Sequence, residues 1–169
     1  YYDMTEMPAY SYSHLLTSIL SPDYVDLTMD GPTSDDLGSY TIFKYYKSPD
    51  NFKWRTPYGS EAALDFGKKS IPGDDKGTLQ YGEKEIYYLE FIETKNHIAQ
   101  FNTEDRFDGH GCTENNGIDS DSKVQRLKSI VLKAKDSGRI LKQVFFTYSY
   151  SLCPGVPNNN VPTSGGGKL

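Results

Sequence analysis

Eight side chains with oxygen or nitrogen donors crowd one stretch of this chain: Asp105, Asp108, His110, Glu114, Asn115, Asn116, Asp119 and Asp121, among Gly109, Gly111 and Gly117. Hard oxygen donors in a glycine-containing loop suit calcium, because several carboxylates and carbonyls must converge to about 2.5 Å from the ion. Asp105, Asp108, His110, Asp119 and Asp121 are therefore candidate metal ligands, calcium being the candidate ion and no other cofactor being implied. The spacing is not that of an EF-hand, since Asp119-Ser-Asp121-Ser has neither the central glycine nor the distal glutamate. His110 is the histidine with acids beside it, but the paired spacing of structural zinc sites is absent. The ordinary reading is a solvated acidic loop.

Tyrosine carries the aromatic content, with fourteen Tyr against one Trp. Rings near polar side chains suit sugar binding or a small amphipathic ligand, because the ring covers apolar faces while its tip and neighbours take hydroxyls. Tyr46, Trp54, Tyr58 and Tyr88 are the candidate ligand-binding rings. Glu90 shares a strand face with Tyr88 and would be the polar member. Core and cross-strand packing is the ordinary role of such rings.

Signals for catalysis are weak. There is no Gly-x-Ser-x-Gly, no phosphate-binding loop followed by a helix, and no dinucleotide fingerprint. A hydrolase using carboxylates of the 105–121 loop with Glu90 stays an alternative, and enzyme function is the less favoured class. The net charge of −5 disfavours a dominant nucleic-acid function. No apolar run approaches the roughly 20 residues of a transmembrane helix.

Cys112 and Cys153 are the two cysteines, both in Gly/Pro-rich surroundings. Their pairing is expected, and by loop entropy is worth about 4 kcal/mol. With that disulfide, and a chain starting at Tyr1 without an apolar leader, a secreted or extracellular protein or an excised fragment is expected.

The elements that must hold these residues are read from periodicity. Val124, Leu127, Ile130, Val131 and Ala134 recur at helical spacing, with Ser120 or Ser122 as cap and Gly138 as stop. Residues 139–151 then alternate as a strand. Tyr12, Leu15, Leu16, Ile19 and Leu20 mark a short N-terminal helix ended by Pro22. Strands are expected over 24–29, 39–46, 52–56 and 78–81. A hairpin is expected over 85–102, and a long acidic loop over 103–118. The sum is a β-rich α+β domain: an antiparallel sandwich or barrel, a short N-terminal helix, and a C-terminal helix before a last strand. It divides into an N-terminal segment (1–23), one β-rich domain (24–153) and a flexible Pro/Asn/Gly tail (154–169).

Charge is unevenly spread. Residues 123–142 hold seven basic side chains against Asp136 alone. As a helix, Arg126 and Lys133 would flank the apolar arc on one side and Lys128 and Lys135 on the other, a rim able to face an anion. Two non-enzymatic functions follow. The first is a secreted or cell-surface binding module for a glycan or small amphipathic ligand. The second is a structural subunit of a homomeric coat, filament or matrix, whose partners are other copies of itself.

Overall fold

The structure is a computed structural model that describes residues 4–58, 63–65, 76–115 and 117–150. Ten strands and no helix occur among them. The strands are β1 (Ser18–Leu20), β2 (Tyr40–Lys47), β3 (Phe52–Thr56), β4 (Ala63–Asp65), β5 (Lys76–Thr78), β6 (Gln80–Lys84), β7 (Tyr87–Thr94), β8 (His97–Thr113), β9 (Gly117–Ala134) and β10 (Ile140–Phe145). Six of them form one open sheet in the order β1-β2-β7-β8-β9-β10, every neighbouring pair antiparallel. β3 pairs with β6, and β4 with β5, as separate two-stranded ribbons.

The expected α+β arrangement is therefore corrected to an open antiparallel sheet, neither sandwich nor barrel. The supposed C-terminal helix is β9. Val124, Ile130 and Val131 are β-branched and suit a pleated strand. Ile130 lies opposite Phe101 and Val144, while Val131 lies opposite Gln100 and Gln143. Apolar residues thus fall on both faces of one strand, and a register shift at Asn102/Thr103 adds to the offset. Two apolar faces and one bulge imitate a spacing of three and four.

The supposed N-terminal helix is also absent. Residues 4–17 are irregular, and β1 joins the edge of β2. A helix of two or three turns is marginal alone in water, so pairing with an available sheet edge prevails. The expected strand over 24–29 reduces to one bridge, Val25 with Leu37.

The hairpin of β7 and β8 is found as expected, and so are β2 and β3 to within a residue, whereas the strand expected over 139–151 shortens to β10, which ends at Phe145. The loop expected over 103–118 is instead the far half of a hairpin of 17 and 18 residues, β8 and β9, turning at Glu114 and Asn115. This hairpin is the spine of the molecule. Its near half lies inside the six-stranded sheet, and its far half is met by β3. Gly111 permits that approach: a Cβ there would lie 2.6 Å from the Lys53 carbonyl oxygen of β3. On the ribbon, Trp54 lies over Gly82 of β6, its cross-strand partner, filling the space a side chain would take.

Among the described residues the buried hydrophobic side chains are Tyr40, Cys112 and Val131. Much apolar surface stays open. Leu15, Leu16, Ile19 and Leu20 are exposed at the β1 edge, and Ile140, Leu141, Val144 and Phe145 at the β10 edge. No helix of the described residues is long and apolar enough to cross a membrane.

Candidate functional site

The candidate metal ligands lie along the far half of the β8–β9 hairpin, and the structure separates them. Asp105 is exposed, 3.9 Å from Lys123. Asp108 is 4% exposed and held by Arg106, whose Nε donates to Oδ1 at 2.9 Å while Nη2 donates to Oδ2. Burial pushes the Asp108 carboxyl up, but the hydrogen bonds and charge of Arg106 outweigh it and hold the group below its usual range. Asp119 caps the amides of Asp121 and Ser122 and meets Lys53 Nζ at 3.3 Å, and Asp121 is exposed. No group of three His, Cys, Asp or Glu side chains converges as a metal site among the described residues.

His110 and Cys112 are buried where β3 closes on the hairpin. The Tyr58 hydroxyl reaches the His110 carbonyl oxygen at 3.5 Å. Burial, with the Cys112 thiol beside it, pushes the Tyr58 phenol well above its ordinary value. Arg55, also buried, donates from Nε to the Glu114 carbonyl at 2.8 Å and from Nη1 to the Pro57 carbonyl at 2.7 Å. Ser122 Oγ accepts the Lys53 amide at 3.1 Å. These groups tie β3 to the hairpin turn. A nucleophile must reach its substrate, and Cys112 has 0% of its surface exposed. Cys153, and with it the expected Cys112–Cys153 disulfide, lies outside the described residues; no disulfide occurs among the described ones.

The candidate ligand-binding rings fall into separate places. Tyr46 and Tyr88 pack together at 5.6 Å between ring centres. The Tyr46 hydroxyl bonds Thr103 Oγ1 and Gln125 Oε1, and the Tyr88 hydroxyl accepts the Gln125 amide at 2.8 Å. This knot bridges β2 and β7 to β8 and β9 beyond the point where the β7–β8 ladder stops at Phe91 and Gln100. Trp54 covers Gly82, and Tyr58 covers the His110–Cys112 region. Glu90 is exposed on β7. Four rings expected to share a ligand thus fill three structural niches.

The basic side chains of 123–142 are mostly engaged. Arg126 lies directly opposite Glu104 and donates to it from Nε at 2.9 Å and Nη2 at 2.7 Å. Its guanidinium stacks over Phe107, Tyr148 and Tyr150, at 4.8 to 5.4 Å from the ring centres. The hydrogen bonds from Arg126 hold the Glu104 carboxyl below its usual range. Lys135 pairs with Glu93 and reaches the Tyr40 hydroxyl at 3.2 Å, and Lys133 donates to Gln100 at 2.9 Å. The Arg126 stack, which clamps the segment after β10 onto β9, was not legible before the register was known. Its signal is the cross-strand pairing of Glu104 with Arg126.

Two open clefts of about 560 and 550 Å³ lie on the surface, one beside Lys95, His97 and Asp136, the other between Leu15, Asp30, Phe43 and Tyr87. Among the described residues each is lined by a single carboxylate, Asp136 in the first and Asp30 in the second. Comparison of the chain with protein-family models, curated proteins and solved structures found no match.

Proposed function

We propose that this chain is a non-enzymatic structural module, one whose open sheet is completed by further polypeptide in an assembly. The observation that carries the reading is the apolar surface at the two sheet edges. Leu16, Ile19 and Leu20 at one edge, and Ile140, Val144 and Phe145 at the other, are all exposed. Unpaired edges with apolar side chains are templates for strand addition, and proteins that stay monomeric blunt them. Polar groups buried under β3 and the Tyr46/Tyr88 knot stiffen the platform between those edges.

Light scattering over a range of protein concentrations tests this, alongside titration with oligosaccharides and a fatty acid. The expected result is a mass that rises with concentration and a melting temperature that rises with it, because assembly stabilises the folded state by mass action. A strict monomer that binds one of those small ligands would overturn the assembly reading in favour of a soluble binding module.

A further inference from the structure

Resting on that assembly reading, we propose that the partner is a second copy of this chain, and that β10 of one copy adds to β1 of the next in a head-to-tail array. The argument begins with parity. Six strands alternate in direction across the sheet, so β1 and β10 run opposite ways. A neighbour displaced across the strands therefore places its β1 antiparallel to β10, and the ladder continues with unchanged hydrogen-bond geometry.

The register defines the contact. Ser18, Ile42, Glu93, Ile98, Lys133 and Ile140 are partners in one unbroken row across all six strands. Extending that row sets Ile140 beside Ser18 of the next copy. The rest of β10 then continues past β1 along residues 14–17, with Gln143 beside Leu16 and exposed Val144 beside exposed Leu15.

Charge decides between this pairing and its rivals. No Lys or Arg precedes Lys44, while residues 1–43 hold seven acids. Asp23, Asp30 and Asp35 are exposed in the connection that continues from β1. Residues 137–150 contain Arg139 and Lys142, both exposed, and no acid. Arg139 stands at the start of β10, at the same end of the sheet as the acidic connection leaving β1. Joining β10 to β1 thus sets opposite charges together. Two-fold pairing of β10 with β10, or of β1 with β1, joins edges of like net charge and gains no such complementarity. A heterologous contact of this kind makes an open array. Each copy advances the sheet by about 29 Å at ordinary strand spacing. Ordinary sheet twist adds roughly 130° per copy.

Sedimentation velocity on the full chain, at low and high salt, tests the proposal with three variants: Arg139→Glu/Lys142→Glu, Asp23→Lys/Asp30→Lys, and the combination of all four. Circular dichroism confirms that each keeps its sheet. The native chain is expected to form dimers, trimers and larger species that shrink at high salt. Each charge-reversed pair should associate about tenfold more weakly, and the fourfold variant, in which both edges are exchanged, should return to the native behaviour. Assembly that stops at a dimer, or that ignores the reversals, overturns the head-to-tail contact while the assembly reading stands. A monomer at every concentration overturns both.

Discussion

Replacing Gly111 by alanine tests the way the β3 ribbon is fixed to the β8–β9 hairpin. A Cβ at this position would lie 2.5 Å from Ser122 Oγ and 2.6 Å from the Lys53 carbonyl oxygen, well inside contact distance. The serine can rotate, but the carbonyl belongs to the backbone of β3, so the strand must move away. Forcing a methyl into a packed junction costs about 1–3 kcal/mol. Moving β3 also breaks the bond from the Lys53 amide to Ser122 Oγ, worth about 1 kcal/mol. The sum is about 2–4 kcal/mol, and at about 2–4 °C per kcal/mol for a chain of this size the midpoint should fall by roughly 4–16 °C. Calorimetry measures the fall, and the emission of Trp54, the sole tryptophan and the neighbour of Lys53, reports where it arises. Gly138→Ala is the control. Its φ of +65° makes alanine strained by about 1–2 kcal/mol, but nothing lies within 4 Å, so Trp54 should not respond. A Gly111→Ala protein with native Trp54 emission and a midpoint within 1 °C of native would refute this account of the ribbon.

Val131→Asp should unfold the sheet or lower its midpoint severely, since Val131 is 6% exposed in the middle of β9 and the carboxylate would be buried without a cation of its own. Lys133→Ala should stay within about 0.5 kcal/mol, because it removes a single bond to Gln100 from a partly exposed site; denaturant titration of the two variants checks the contrast. At high pH the fold should weaken: burial and the Glu83 hydrogen bond push the Tyr81 phenol up to about 12, from 10.0. A raised phenol favours the protonated folded state below pH 10. That stabilisation is lost as pH climbs from 10 towards 12, and Tyr81→Phe should lessen the loss in melts over that range, the remainder coming from Tyr24 and Tyr58, whose phenols burial also raises.

Much of the strand content could be read from residues alone, and the reasons for the failures are local. Phe52–Thr56 alternates cleanly between turns and is found as expected. The hairpin at Lys95 and Asn96 has strong strands on both sides. The far half of the β8–β9 hairpin was hidden because glycines at 109 and 111 break the alternation, and because register shifts near His110 disturb it further. Those glycines are there because Val124, Ser122 and Lys53 press against them, which is a tertiary fact. β9 reads as a helix in the sequence because it is apolar on both faces, and period alone cannot separate that case from an amphipathic helix. The placement of the candidate rings was hidden for a related reason. Tyr46, Trp54, Tyr58 and Tyr88 share a residue type, but the topology sends them to three niches. The basic stretch over residues 123–142 was legible as charge, but that it ends at one edge of the sheet, opposite the edge formed by β1, became visible only with the strand order.

Hydrogen–deuterium exchange of the edge strands, measured at low and high protein concentration, tests most directly the claim that this sheet is completed by polypeptide. Peptides covering β1 and β10 should exchange quickly when the chain is dilute and become protected together as concentration rises. Peptides from β7 and β8, already paired on both sides where they cross the sheet, should not change. Rapid exchange of both edges at every concentration, with the protein monomeric throughout, would contradict it.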